Sequence, residues 1–231
     1  MSVSIIIPAR NEAARIGAQI AHLQSLAQNE NTRVEIIVCD GQSDDATASI
    51  AWASGATVVQ TAPNRGLQQN AGAKLSSGDI LWFLHADEKP HAGSFNYLKH
   101  AHHRNAPGGN FQLHFDRSTP ATRAMALIAR LQRQRGVYYG DSGIWVRRDV
   151  FEAMKGFRDW PLFEDYDFAR RLEAFARRHG MRTEYSRVPI TVSARRLEKQ
   201  PGKVLAQWLL LQCLFSIGVS PEKLTRYYHP K

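Results

Sequence analysis

The apolar positions of this chain fall into short continuous runs and helical spacings, and the two alternate through its first half. Val3–Ile7 is a β-branched run closed by Pro8, and Glu12–Gln28 then carries Ile16, Ile20, Leu23 and Leu26 at helical spacing. Val34–Cys39 repeats the strand pattern, Gly41–Ser43 interrupts it, and Asp44–Ser54 reads as a helix capped by Ser43. A third strand is expected at Thr57–Gln60, a helix at Leu67–Ser76 stopped by Gly78, and a fourth strand at Ile80–Leu84 running into His85-Ala86-Asp87. Continuous apolar strands separated by helices predict an α/β fold with a mostly parallel sheet covered on both faces, binding its ligand at the carboxyl ends of the strands.

The second half is less regular. Strands are expected at Phe111–Phe115 and Ile144–Val146, and helices at Ala121–Gln134, Asp149–Met154 and Tyr166–His179. Val204–Val219 is apolar almost all round a helical projection. Burial against the rest of the protein is the first expectation for it. A membrane or dimer contact is the alternative, and Lys203, Lys223 and Arg226 flank it in a way that suits an anionic bilayer. With Gln207, Gln212 and Ser216 inside, it is shorter than the roughly 20 residues that span a membrane, so no transmembrane helix is expected.

Composition narrows the picture. The 231 residues suffice for one domain with its own core, and no linker-like stretch divides them. With 30 Lys plus Arg against 21 Asp plus Glu, the formal net charge of +9 favours anionic partners. No interleaved aromatic and basic run marks a nucleic-acid surface, so nucleic acid ranks last among them. Cys39 and Cys213 lie too far apart in sequence to suggest a disulfide framework or zinc site, and a reducing, cytoplasmic setting fits. Met1–Pro8 lacks the basic start and longer apolar run of an export signal.

Carboxylates recur just past strand ends: Asp40 after the second, Asp87 after the fourth, and Glu164-Asp165 before a late helix. An Asp there can accept hydrogen bonds from a nucleobase or ribose, or hold a divalent cation beside a diphosphate. The motifs Ile6-Ile7-Pro8-Ala9-Arg10-Asn11-Glu12, Asp40-Gly41-Gln42-Ser43-Asp44-Asp45 and Leu84-His85-Ala86-Asp87 resemble family 2 glycosyltransferases. Asn64-Arg65-Gly66, Asn70-Ala71-Gly72, Gly140-Asp141 and Phe163-Glu164-Asp165-Tyr166-Asp167 with Arg170-Arg171-Leu172 extend the resemblance to about residue 172. From Ser193-Ala194-Arg195-Arg196 onward the chain resembles the bacterial subgroup named for association with radical-SAM and selenium-related domains.

The resemblance implies a GT-A fold, inversion at the anomeric carbon and a uridine- or guanosine-linked sugar donor. It also implies a division of 1–231 into a nucleotide-sugar half (about 1–115), an acceptor and catalytic half (about 116–200) and a helical C-terminal segment (about 201–231). Carried over by position, Pro8, Glu12 and Asp40 would line the nucleoside pocket, Arg65 would approach the base or phosphate, and Asp87 would hold Mn²⁺ or Mg²⁺. The family's metal motif usually ends in carboxylates on both sides, whereas His85 stands first here. His85 could ligate the cation, hydrogen-bond the phosphate or orient Asp87, with Glu88 as a fallback carboxylate. Asp165 is the expected general base with Glu164 assisting, Arg195 and Arg196 are candidate phosphate clamps, and Asp141 belongs to a tight turn or an acceptor loop. Two other functions fit the same composition, a nucleotidyltransferase acting on sugar phosphates and a non-catalytic nucleotide-sugar binder. The arginines at 123, 130, 133, 135, 170, 171, 177 and 178 read mainly as a solvated helix face, with a phosphate-bearing acceptor as the sharper alternative.

Overall fold

A computed structural model describes residues 1–199 and 201–227, except the side chains of Arg196, Lys199 and Pro201. Its first half alternates as the apolar runs predict: β1 (Ser2–Ala9), α1 (Ile16–Asn29), β2 (Arg33–Asp40), α2 (Thr47–Ala53), β3 (Thr57–Gln60), α3 (Arg65–Leu75) and β4 (Ile80–Phe83). The second half adds β5 (Lys89–Pro90), α4 (Ser94–His103), β6 (Gly108–Phe115), α5 (Pro120–Gln134), β7 (Trp145–Arg147), α6 (Arg148–Ala153) and α7 (Glu164–Arg178). It closes with β8 (Glu184–Val192), α8 (Arg195–Lys199), α9 (Pro201–Ser216) and α10 (Pro221–Leu224).

The strands form a single sheet in the order β3-β2-β1-β4-β7-β6-β8-β5. β1, β2, β3 and β4 are mutually parallel, whereas β7 pairs antiparallel with both β4 and β6. Alternation within β1 sends Val3, Ile5 and Ile7 to one face, packed with Ile16, Ile20 and Leu23 of α1, and Ile6 to the other, packed with Phe168 and Leu172 of α7. On that second face α3 lies very close to the sheet. A Cβ at Gly72 would stand 2.5 Å from Ile6 Cγ2 and 2.7 Å from Cys39 Sγ, so only glycine permits this approach.

Several expectations need correction. α1 begins at Ile16 and not at Glu12, and α2 begins at Thr47 after Ala46 and not after a Ser43 cap. The two loops bind each other instead: the amides of Asn11, Glu12 and Ala13 donate to Ser43, Thr47 and Asp45, and the Asp44 amide donates to Asn11 Oδ1. β5, α4 and β8 were not anticipated. β8 contains Pro189, a poor strand residue, and its pairing with β6 slips between Phe111 and Gln112 so that the ladder skips Arg187 and Val188. α4 hides Phe95, Leu98 and Ala101, which are buried, among polar and histidine positions. The expected burial of Val204–Val219 holds on one face only: Leu211 is buried with Leu214 and Phe215 packed beside it, whereas Leu205, Leu209, Leu210 and Ile217 are exposed.

Candidate active site

β1, β2 and β4 run in the same direction, so Ala9, Asp40 and the segment after Phe83 emerge at one edge of the sheet. Asp40 is buried there and accepts from the Ser43 amide at 3.2 Å and from the Ser43 hydroxyl. Half-buried Pro8 and Glu12 lie on the adjoining segment, with Glu12 Oε2 paired to Arg15 at 2.9 Å. The edge is braced by a residue outside every motif. Gln68 of α3, itself buried, donates to the carbonyls of Ala9 at 3.1 Å and Cys39 at 2.6 Å.

α3 and its cap also carry the two asparagines of the resemblance into structural roles. Asn64 caps the helix by accepting from the Leu67 amide and donates to Asp159 Oδ1 at 2.7 Å, while Asn70 makes a two-way pair with the Phe157 backbone. Arg65 follows the cap, so its charge is carried to the mouth of the sheet edge, where it acts on Asp141, Glu164, Glu88 and His85.

Those groups form an acid cluster drawn from three stretches of chain. Asp165 Oδ2 accepts from the Gly140 amide at 2.7 Å and Oδ1 from the Tyr166 amide at 2.7 Å, which ties the start of α7 to the 3-10 turn Gly140–Ser142. Phe163 enters α7 with φ 64, a strained conformation for an aromatic residue, and its ring is stacked on Phe215 of α9 at 4.5 Å. A Cβ at Gly140 would sit 3.1 Å from both Asp165 Oδ2 and His85 Nε2, so the turn, α7 and the strand-end histidine meet at one glycine.

Crowding shows in the ionisation of the cluster. Burial, then Asp165 and Asp87, push the Asp141 carboxyl up from 3.8 to about 7, with Arg65 opposing. Burial, then Asp165, raises Glu164 as well. His85 is held neutral, pushed down to about 3 by burial and then by Arg65. Its Nδ1 lies 3.2 Å from Glu88 Oε1. Glu88 is fully buried and its carboxyl is pushed up, first by burial and then by Asp141. Glu88 therefore stands behind His85 and is no second carboxylate at the cleft surface, and the histidine's neighbour is Glu88, not Asp87 as the orienting role would have it. Asp87 itself is exposed.

The fit of this cluster to a divalent cation rests on its donor chemistry. Hard oxygen donors gathered in one place suit Mg²⁺ or Mn²⁺. Among the described residues no group of three or more His, Cys, Asp or Glu side chains could hold a metal ion by itself. An open set is what a hard cation needs when a substrate's phosphate oxygens complete its shell.

Other expected residues do not reach the cluster. Arg195 is exposed at the start of α8, and among the described residues its hydrogen bonds do not touch the acids. The side chain of Arg196 lies outside the described residues. Two arginines read as a solvated face are internal staples. Arg133 bonds Asn110, Glu173, Thr183 and the Glu184 carbonyl, and Arg171 bonds Asp167 and the carbonyls of Met154 and Gly156. Beside Asp141, a small pocket is lined by Phe111, Leu113, Ala126, Ala129, Tyr138 and Tyr139.

Comparison with known proteins places these features. The pattern of the family described as Glycosyl transferase family 2 matches residues 4–158. A 4,4'-diaponeurosporenoate glycosyltransferase of Staphylococcus haemolyticus is 43% identical over 94 residues, which cover 37% of this chain and 24% of that protein. An uncharacterized glycosyltransferase of Haemophilus influenzae is 33% identical over 89 residues, covering 37% of this chain and 29% of that protein. The match thus spans less than a third of either relative. Among solved structures, the mannosyltransferase PcManGT of Pyrobaculum calidifontis, in complex with GDP-Man and Mn²⁺, superposes with a TM-score of 0.69 at 16% identity, covering 97% of this chain and 68% of that one. Glucosyl-3-phosphoglycerate synthase of Mycobacterium tuberculosis, in complex with Mn²⁺, UDP and phosphoglyceric acid, gives 0.62 at 22% identity over 94% of this chain and 79% of that one. At these identities the likeness shows a shared fold.

Proposed function

The chain belongs to glycosyl transferase family 2 and has the GT-A fold, and on that premise we propose that it moves a sugar from a uridine- or guanosine-diphosphate donor to an acceptor hydroxyl with inversion at the anomeric carbon. The observation that carries the reading is the meeting of Asp87, Asp141, Glu164 and Asp165 around Arg65 at the carboxyl edge of β1, β2 and β4. All of 1–231 serves as one domain in this reading, with the donor side on the parallel strands and the acceptor side on the later segments.

Each residue then has a task set by where it stands. Asp40, Pro8 and Glu12 flank the nucleoside, and Arg65 neutralises the diphosphate as its charge grows. Asp165 takes the proton from the acceptor hydroxyl while that oxygen attacks the anomeric carbon from the face opposite the diphosphate, and the bond from that carbon to the diphosphate oxygen breaks. Glu164, on the same helix start, assists or orients Asp165. Asp141 bonds the acceptor beside the apolar pocket. Asp87 would hold a divalent cation, with Asp141 near, and the bound cation supplies charge neutralisation to the leaving diphosphate.

A thermal-shift screen of nucleoside diphosphates with and without Mn²⁺ tests the reading. One base should stabilise the protein only with the metal, by about 2.7 kcal/mol at a hundredfold excess over Kd. No stabilisation by any of them would remove the donor site. Release of pyrophosphate from a nucleoside triphosphate and a sugar phosphate would instead mark a nucleotidyltransferase.

A further inference from the structure

α9 has one packed face and one exposed apolar face. Its inner face is packed: Trp208 lies against Tyr139, Phe215 against Phe163, Tyr166 and Trp160, and Leu211 is buried with Leu224. Its outer face carries Leu205, Ala206, Leu209, Leu210 and Cys213, all exposed, and Ile217 continues the stripe just past the helix at 77% exposure. Positions 205, 209, 213 and 217 follow at intervals of four, one above another along the helix. No charged residue interrupts 204–219. A solvated helix face has no reason to be built this way, and a contiguous apolar surface of this kind marks a contact site.

We propose that this stripe docks on an anionic lipid bilayer, lying in its surface. Charge decides the occupant. Lys203, Lys223 and Arg226 are exposed around the stripe, and Glu222 is the only acid in 201–227. Gln207 donates to the Tyr227 carbonyl at 2.9 Å, which brings the Arg226 segment alongside the first half of α9 where Lys203 stands. A second copy meeting this face would bring the same cations against themselves, with Glu222 the only acid in 201–227 to offset them. Lipid phosphates meet both needs, accepting the cations while the leucines enter the boundary of the acyl chains. Among the described residues no helix is long and apolar enough to cross a membrane, so the contact is one of surface. Because Tyr139 and Phe163 adjoin the Gly140–Ser142 turn and the start of α7, docking would bring that side of the cleft to the membrane.

Flotation with vesicles of phosphatidylcholine alone and of phosphatidylcholine with phosphatidylglycerol tests this. The protein should float with the anionic vesicles only, and less at high salt. Leu209→Glu should weaken binding about tenfold, and Lys203→Glu or Arg226→Glu roughly fivefold each, without loss of folded structure by circular dichroism. A second readout does not depend on these variants folding. Cys39 is buried with its thiol pushed up to about 12, so a polarity-sensitive dye attached by thiolate chemistry goes to exposed Cys213. Its emission should shift to the blue with anionic vesicles. No flotation, equal flotation with neutral vesicles, or a lipid-free dimer in sedimentation that Leu209→Glu dissolves would each overturn the proposal. None of these outcomes bears on the nucleotide screen, which is run without lipid.

Discussion

The two sides of the cleft treat their carboxylates in opposite ways. On the side of β1 and β2, Asp40 is fixed by the amide and hydroxyl of Ser43, Glu12 is paired with Arg15, and Gln68 ties the two strand ends together. On the other side, Asp87, Asp141, Glu164 and Asp165 press on one another with Arg65 opposing them. The first arrangement is a finished hydrogen-bond network that can receive a neutral group such as a nucleoside. The second leaves repulsion standing in the free protein, which a bound cation or a proton taken up by the carboxylates relieves.

The sharpest break of this contrast is Asp165→Asn. The amide oxygen can still accept from Gly140, at the loss of the bond from the Tyr166 amide, so the tie to the turn is kept while the proposed base is lost. Transfer should fall about 10²–10⁴-fold with nucleotide affinity retained, read by steady-state release of nucleoside diphosphate beside calorimetric binding. Near-normal turnover would take Asp165 out of the mechanism.

Gly72→Ala probes the packing of the first side. With backbone-held Ile6 and Cys39 in the way, it should cost about 1–3 kcal/mol in denaturant unfolding, and an unchanged midpoint would show that α3 can move away freely.

Asp141→Asn probes the repulsion on the second side, and the effect should depend on pH. The folded-state pKa is raised from 3.8 to about 7, so the native protein holds more protons and loses stability as pH rises through that window. The variant should therefore gain on the order of 1 kcal/mol over wild type above about pH 7, after allowance for solvent screening, and nothing below pH 3.8. A gain of equal size at all pH values would mean that packing, not charge, separates the two.

The smallest effect is expected at Gly202 in the first turn of α9, where an added Cβ meets no atom within 4 Å. Gly202→Ala should stabilise by about 0.4–1 kcal/mol in the same unfolding experiment, the reverse of Gly72→Ala.

Much of this molecule was legible before folding was considered. Val3–Ile7, Val34–Cys39, Thr57–Gln60 and Ile80–Leu84 all became parallel strands; the central runs are hard to mistake because a strand buried on both faces must be apolar throughout, and β3, at the sheet edge, showed through its Val58-Val59 pair. The strand-end positions of Asp40 and Asp87 followed from those boundaries. Gln68 was invisible, since a lone glutamine in a helical stretch carries no periodic signal and earns its place only by reaching two carbonyls 29 and 59 residues away. Ser43 was misread for a related reason: a local cap competes with bonds to a neighbouring loop, and the loop prevailed.

Sequence by itself determined the alternating elements, the chemistry of the motifs and the apolar character of 204–219, because each depends on residue type and near-neighbour spacing. Only the tertiary structure decided that Glu88 lies buried behind His85, that Asp165 is tied to Gly140, and that one face of α9 remains exposed. Those outcomes depend on which distant segments meet, and the free energy of a carboxylate or a leucine is set by the atoms that surround it.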